Sequence, residues 1–587
     1  MQVRAVRVCH VMTADLWAGA EVQVATLASY LAARPEVTLT AVLFNDGWLA
    51  SELRALGITV AVIDERQHSP FAIVRFLVRF FRRHEIELVH THRYKDNILG
   101  SIAAALAGVP HVVRTIHGRA EPLCGWEWLK FQLYQSLDVA ALWSCADRVV
   151  AVSKRMAEAL EQSGSRPGTL TYVHNGVDLR KIRATGSVAQ TRAAIGLPSG
   201  SIVIGTAGRL TPVKGQEYLV RAAARIVRQE SQARFLFVGS GPLESRLRHV
   251  ARQLGVEDAC VFIDPARDRR ASVYDLIAAM DVFVLPSLHE GIPMALLEAL
   301  ALERPVVASA VGGIPEIITH EATGLLVEPK NERELADACL DLARNRRRAR
   351  AFAVRGRRTV EREFSHEANG EAVVALYQTV ARASSAPRAI GAMRLCWALT
   401  RACLSAVLTR IERFAFRRRM EWIRRHPATL SAALGSAASV LVVCHGNIIR
   451  SAFAARLLAQ ALGKRRVPAI ASAGLAAIPG RPSHPTAVSI ATPRGVDLSD
   501  HRASAITPAA VAAADVIFVM DLPQLIAIRR RFPESRGKTF LLSCLAADGP
   551  LEVRDPVDGD EPVFQACFDH ISRAVRPIVN VLAQAAQ

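Results

Sequence analysis

The stretch Ser439-Val-Leu-Val-Val-Cys444-His-Gly-Asn-Ile-Ile-Arg450-Ser451 fixes the architecture of the last part of this 587-residue chain. Its β-branched apolar run reads as a buried strand feeding a short loop, and Ser451-Ala-Phe-Ala-Ala-Arg-Leu-Leu then opens a helix. Five residues separate Cys444 from Arg450, enough for the backbone to curl into a ring with its N–H groups inward. A tetrahedral oxyanion fits such a ring, and the helix N-terminus beneath it adds partial positive charge. The same field favours the Cys444 thiolate as a nucleophile. The planar fork of Arg450 can grip two phosphate oxygens. The pattern predicts a phosphatase loop built from Cys444, His445, Gly446, Asn447, Ile448, Ile449 and Arg450, closed by Ser451. In a chain this rich in arginine the Cys-to-Arg spacing is weak by itself; the strand before it and Gly446-Asn447 within it carry the reading.

These residues resemble the loop of the low-molecular-weight protein tyrosine phosphatases, Cys-x-Gly-Asn-x-Cys-Arg-Ser. Further matches follow in order: Ser472-Ala-Gly474, Asp500-His501-Arg502, Ala514-Asp515-Val-Ile-Phe-Val-Met520-Asp521, and Asp555-Pro556. The resemblance implies Cys444 as nucleophile, Arg450 as phosphate clamp and Asp555 as the acid that protonates the leaving oxygen and later activates water. It implies that Ser451 hydrogen-bonds the thiolate while Asn447 braces the loop with help from His501. Asp555 suits the acid role only where partial burial keeps its proton on, and Asp558 or Asp560 could compete for it. Two departures matter. Ile449 replaces the second cysteine of the loop, so a protective disulfide within it cannot form and oxidation of Cys444 would proceed along the sulfenic–sulfinic ladder. Val557 stands where phosphotyrosine-preferring members usually place an aromatic residue, which weakens the expectation of that substrate. Cys544 and Cys567 do not fit the resolving pattern of the arsenate-reducing relatives.

Upstream, apolar runs alternate with amphipathic helical patterns from residue 5 to about 380, the signature of parallel α/β units. Val3–Met12 reads as a first strand, and Ala18-Gly19-Ala20-Glu21 as a tight turn opening a helix. Glu87-Leu-Val-His90-Thr-His92 and His111-Val-Val-Arg-Thr-Ile-His117-Gly118 are later strands with polar ends, where ligands bind in open α/β sheets. His90-x-His92 invites a metal reading, but no third ligand has suitable spacing. A second half begins at Ile202, running into Ala207-Gly208-Arg209-Leu210 and Lys214-Gly215, two cations suited to a diphosphate. Glu290-Gly291-Ile-Pro-Met-Ala-Leu-Leu-Glu298 then reads as a helix start whose two carboxylates lie two turns, ~12 Å, apart. Gly312-Gly313-Ile-Pro315-Glu316 forms a further loop. Gly239-Ser-Gly241 is a weak dinucleotide fingerprint that comes too late for a first strand.

This arrangement resembles the family 4 glycosyltransferases, retaining enzymes with two Rossmann domains in the GT-B fold. The resemblance implies that Arg209 and Lys214 bind the nucleotide-sugar diphosphate and neutralise the leaving group, making a metal or other cofactor unnecessary. Glu298 would hold the donor ribose, Glu290 and Gly291 would lie near the donor sugar, Gly19 near the diphosphate or acceptor, and His117 beside the transferred sugar.

The formal charge is +19, mostly from arginine. Residues 383–437 hold ten arginines against Glu412 and Glu421, with an apolar stripe at helical spacing that the arginines interrupt too often for a bilayer span. Such a basic amphipathic segment reads either as a contact with an anionic membrane surface or as a helix docked on a neighbouring domain. No motif accompanies the charge that would suggest nucleic acid. The lack of an N-terminal apolar core with a cleavage site, and ten scattered cysteines, suit a cytoplasmic enzyme, peripheral at the inner face of the membrane if the basic segment binds there.

The expectation is an α/β protein of three parallel-sheet domains. The GT-B acceptor-side domain spans 1–185, the nucleotide-sugar domain 186–382, a basic helical linker 383–436 and the phosphatase-like domain 437–587. The expected function is bifunctional: retaining transfer from a nucleotide-sugar to a lipid-linked or polysaccharide acceptor, plus cysteine-dependent phosphate ester hydrolysis in surface polysaccharide synthesis. By analogy a tyrosine autokinase would be the phosphatase partner. The alternatives are hydrolysis of a small phosphorylated metabolite, or a non-catalytic phosphate-binding module.

Overall fold

In the computed structural model, the described residues are 4–14, 19–118, 138, 145–162, 168–383, 412–463, 468–557 and 561–585. The chain forms two compact units, Met1–Cys403 and Leu404–Gln587.

The first unit contains two parallel sheets. One comprises β1 (Val6–Met12), β2 (Val37–Leu43), β3 (Thr59–Val62), β4 (Leu88–Thr91), β5 (His111–Ile116), β6 (Arg148–Ala151) and β7 (Leu170–Tyr172). Its order is β3-β2-β1-β4-β5-β6-β7. The second comprises β8 (Ile202–Ala207), β9 (Ala233–Val238), β10 (Cys260–Ile263), β11 (Val282–Leu285), β12 (Val306–Ser309) and β13 (Leu325–Val327), in the order β10-β9-β8-β11-β12-β13. The central strands are buried on both faces, which is why they read as near-continuous apolar runs: Val8, Cys9, Val11 and Met12 are all fully buried. Strand order reverses between β1 and β4 and again between β8 and β11, so the ends of these four strands are the natural ligand sites.

Two crossings join the sheets. Asn175-Gly176 follows β7, and the chain returns at Phe364-Ser365 into helix α1 (His366–Arg382). The Val177 amide donates to the Phe364 carbonyl (2.9 Å) and the His366 amide to the Val177 carbonyl (3.0 Å). Gly176 is obligatory there, because a Cβ would lie 2.5 Å from the Ser365 carbonyl oxygen. Val373, Tyr377 and Val380 of α1 pack with Val8 and Val113 of the first sheet and with Leu31 at the end of the helix Gly19–Leu31. The last helix of the expected 186–382 domain therefore belongs to the first domain; its sequence carries an apolar face but not the address of the sheet it covers.

The second unit holds β14 (Ser439–Cys444), β15 (Ala469–Gly474), β16 (Val516–Val519) and β17 (Thr539–Leu541), ordered β15-β14-β16-β17 and all parallel. Helix α2 (Arg450–Leu462) leaves the loop after β14, and Phe453 on it stacks on Phe568 of the C-terminal helix α3 (Glu561–Ala585), ring centroids 3.9 Å apart. The expected linker also needs correction. Residues 412–425 are helical, and their Met420 and Ile423 lie in this core together with Leu430 and Leu434 of the next helix. Arg424 donates to the Ser543 carbonyl (3.0 Å) and the Gly549 carbonyl (2.8 Å). The described part of the basic segment is thus a docked helix, with Phe414 and Trp422 left exposed. Residues 384–411 of that expected linker lie outside the described residues. Among the described residues no helix is long and apolar enough to cross a membrane.

Candidate active sites

Strand β14 delivers Cys444, 3 % exposed, to the base of the loop. Its Sγ accepts hydrogen bonds from the Ser451 hydroxyl (3.0 Å) and the Asn447 amide (3.2 Å), which fix it at the base of the ring. The loop carbonyls are tied outward. The Cys444 oxygen accepts from the Leu475 amide (3.0 Å), the His445 oxygen from the Ala476 amide (2.9 Å) and the Ile448 oxygen from the His484 amide (3.0 Å). The Asn447 oxygen accepts from His501 Nε2 (2.8 Å). Because a trans peptide sets its N–H opposite its C=O, outward carbonyls turn the amides of the following residues toward the interior of the ring. Asn447 sits at φ 54°, a left-handed conformation its short polar side chain tolerates. That side chain donates to Ser451 Oγ and Ser472 Oγ (2.9 Å each) and accepts from the Ser504 amide (2.8 Å). Gly446 is half-buried, His445 is exposed, and Ile448 and Ile449 are buried.

Arg450, 2 % exposed, is held by Asp521 Oδ2 and the Val553 carbonyl, both at 3.0 Å, and its other terminal nitrogen pairs with the Asp555 carboxylate. The Asp555 side chain is 39 % exposed and is held at the site by its ion pair with Arg450. Its competitors Asp558 and Asp560 lie outside the described residues. Sequence reasoning gave Asp521 no role, although it stood in a quoted motif; its position two residues after the end of β16 puts it beside Arg450 only in the folded sheet. Cys567, buried on α3, lies near enough to feel Cys444 and Asp555, and burial pushes its thiol up to about 12.

In the first unit, Lys214 Nζ bridges both oxygens of Glu290 (2.7 and 3.0 Å), and the Ser287 hydroxyl donates to Glu290 (2.7 Å). Gly215, at φ 64°, lets this turn press against the Pro286 carbonyl, where a Cβ would come within 2.1 Å. Arg209 is exposed at the end of β8, and Gln216 Nε2 donates to its carbonyl (2.8 Å). The helix after β11 begins only at Met294, so Glu290 lies in the preceding loop and the two-turn separation from Glu298 inferred from sequence does not hold. Proline at 293, with φ −76° and ψ 119°, keeps that loop out of the helix. Burial pushes the Glu298 carboxyl up to about 7.

The two sheets meet at this loop. A Cβ on Gly291 would lie 2.5 Å from the His117 carbonyl, and one on Gly19 would touch Met294 at 3.5 Å. The structure thus brings His117, Gly291 and Glu290 together, with Gly19 at the same seam. Glu316 of the Gly-Gly-x-Pro-Glu loop crosses the seam as a helix cap, accepting from the Lys154 and Arg155 amides (2.8 and 2.9 Å) and from His174 Nε2 (3.0 Å). These bonds lower its carboxyl against the opposing effect of burial. The sequence reading missed this role and also the third partner of His90 and His92. His10 of β1 lies beside them, and the three offer nitrogens within 4.8 Å of one another.

Residues 17–181 match the family model Glycosyltransferase Family 4, residues 201–345 that of glycosyl transferases group 1, and residues 439–587 that of low molecular weight phosphotyrosine protein phosphatase. The UDP-Gal:alpha-D-GlcNAc-diphosphoundecaprenol alpha-1,3-galactosyltransferase of Escherichia coli is 32% identical over 257 residues, covering 43% of this chain and 65% of that protein. A D-inositol 3-phosphate glycosyltransferase of Saccharomonospora viridis is 31% identical over 312 residues, covering 50% of this chain and 70% of the relative. The crystal structure of Anabaena HepE with UDP-glucose shares the fold, with a TM-score of 0.56 at 23% identity over 64% of this chain and 99% of that one. The chain belongs to the family 4 glycosyltransferases and carries a low molecular weight phosphotyrosine protein phosphatase domain at its C-terminal end.

Proposed function

We propose that the chain is a bifunctional enzyme that transfers a sugar from a nucleotide-sugar with retention and hydrolyses a phosphate monoester. The observation that carries the second activity is the outward tethering of the loop carbonyls around Cys444 Sγ, which leaves a cradle of amides closed by Arg450. Cys444 attacks phosphorus as the ester P–O bond breaks, and Asp555 gives its proton to the departing oxygen. The Asp555 carboxylate then takes a proton from the water that attacks the phosphocysteine, releasing phosphate and the thiolate.

In the transferase unit, Arg209 and Lys214 neutralise the leaving diphosphate without a metal, Glu298 accepts from the ribose hydroxyls, and the departing phosphate takes the acceptor's proton on the same face. The uracil nucleotides named for the Escherichia coli enzyme and for HepE favour a UDP-sugar donor. The diphosphoundecaprenol acceptor of the former favours a lipid-linked acceptor and work at the cytoplasmic face of a membrane in polysaccharide synthesis. The exposed Phe414 and Trp422 amid arginines suit an anionic surface there. A tyrosine autokinase would then be the source of the phosphatase substrate. Val557, after Asp555-Pro556, favours a second reading, in which the substrate is a small phosphorylated sugar or lipid.

The test is hydrolysis of para-nitrophenyl phosphate by the purified chain and by Cys444→Ser, with a tyrosine phosphopeptide in parallel. Cys444-dependent turnover of both substrates supports a tyrosine phosphatase, and turnover of the small ester alone supports the second reading. No turnover leaves a phosphate-binding module. Release of UDP from a panel of UDP-sugars, lost in Lys214→Ala, tests the transferase.

A further inference from the structure

Behind His117 runs an unbroken chain of buried hydrogen bonds. His117 Nε2 meets His92 Nδ1 at 3.1 Å, and His92 Nε2 meets His10 Nδ1 at 3.1 Å. His10 Nε2 meets the Tyr377 hydroxyl at 2.9 Å; that hydroxyl meets His90 Nδ1 at 2.6 Å, and His90 Nε2 meets Thr115 Oγ1 at 2.8 Å. Three strands and helix α1 contribute. Burial keeps every ring neutral, pushing His10 and His117 down to about 3 and His90 and His92 well below 6.5.

A neutral imidazole has one N–H and one lone pair, so when the Tyr377 hydroxyl passes its proton along the chain there are two complete proton patterns. In one, each ring donates away from the seam: His117 to His92, His92 to His10, His10 to Tyr377, Tyr377 to His90 and His90 to Thr115. The lone pair of His117 then sits on Nδ1. In the other, every bond reverses and His117 carries its proton on Nδ1. That atom is sealed from solvent and has no hydrogen-bond partner among the described residues, and it belongs to the residue pressed against Gly291.

A metal is the rival use of three clustered histidines. The rings of His90 and His92 lie stacked, 24° from parallel with centroids 4.5 Å apart, so their lone pairs run side by side rather than converging. The nitrogens named above also already satisfy one another.

We infer that His92, His10 and Tyr377 are positioning residues that set which nitrogen of His117 bears its proton, so that His117 presents either an acceptor or a donor to a sugar hydroxyl at Nδ1. The link to sugar rests on the transferase reading above; the tautomer itself does not. Tyr377→Phe removes the partner of His10 Nε2. Loss of that hydroxyl cuts the chain after His10, so the position of the His117 proton is then decided by the His10–His92–His117 segment alone and its tautomer balance shifts. Thr115→Val, nearly isosteric, removes the hydroxyl that ends the chain and so alters the balance between the two patterns from the far end.

The experiment is 15N NMR of histidine-labelled full-length protein, with His117 assigned by its loss in His117→Asn. Both Tyr377→Phe and Thr115→Val are expected to move the His117 Nδ1 and Nε2 shifts away from their wild-type values, because each alters the proton balance of the chain. Turnover of the UDP-sugar should fall about tenfold with its KM unchanged. Identical His117 shifts in wild type and Thr115→Val, with Tyr377→Phe also unchanged or unfolded, overturn the inference. Moved shifts without any transferase activity would leave the relay standing and sink the transferase reading instead.

Discussion

The outer nitrogen of Arg450 holds the Asp555 carboxylate, so a phosphate dianion must displace that carboxylate before the fork can close on it. Displacement frees Asp555 to face the leaving oxygen, coupling substrate entry to placement of the acid. Asp555→Asn should therefore lower kcat by ~10²-fold or more for phenyl phosphate without raising KM. The loss should be smaller for para-nitrophenyl phosphate, whose leaving oxygen hardly needs a proton; equal losses for the two esters would count against the acid role. Glu298 offers a second test. Its carboxyl is raised to about 7, so it is largely protonated at pH 6, whereas two ribose hydroxyls need an ionised acceptor. Donor KM should rise as pH falls below 7, and Glu298→Gln should give a high KM with no such slope. By the same sign, the neutral group favours the folded state below about pH 4.5, and that contribution is lost as pH rises through 7. Thermal melts of Glu298→Gln should lack that decline. Cys444, Arg450 and Ser451 were legible in sequence because one loop holds them in order. Asp521, Glu316 and His10 were not, since each acts on a partner remote in the chain.

Elements were legible where a run of β-branched residues met a glycine, and their destinations were not. β14 and the loop after it were plain, and the reason for Gly474 emerges only with neighbours in place: a Cβ there would lie 2.7 Å from the His445 carbonyl and 3.0 Å from the Asn447 amide. Gly474→Ala should push the loop off its outward tethers and reduce phosphatase kcat/KM by ~10²-fold, corresponding to about 3 kcal/mol, while leaving UDP release untouched. The Glu290-to-Glu298 spacing suggested a continuous helix because the pattern shows periodicity but not the point where proline at 293 stops it. Helix α1 illustrates the same limit, for an apolar face records that it is buried and not beneath which sheet.

At the scale of the molecule, the phosphatase unit begins earlier than its catalytic strand suggests. A fragment beginning at 437 loses Met420, Ile423, Leu430 and Leu434 from the core, and each such truncation costs about 2–5 kcal/mol where a cavity remains. Such a fragment should melt well below one beginning at 404, if it folds at all; equal melting temperatures would show the basic helix to be dispensable. The transferase unit has a different economy of connection. Its two crossings between sheets are bonded side by side at Val177, Phe364 and His366 rather than placed at opposite ends of the seam. Crossings set far apart would brace the two halves against turning, whereas an adjacent pair leaves one axis, running through the ribbon itself. Any swing about that axis changes the gap between His117 and Gly291 in proportion to its lever arm, while Tyr377, carried beyond the ribbon on α1, rides with the histidines it touches.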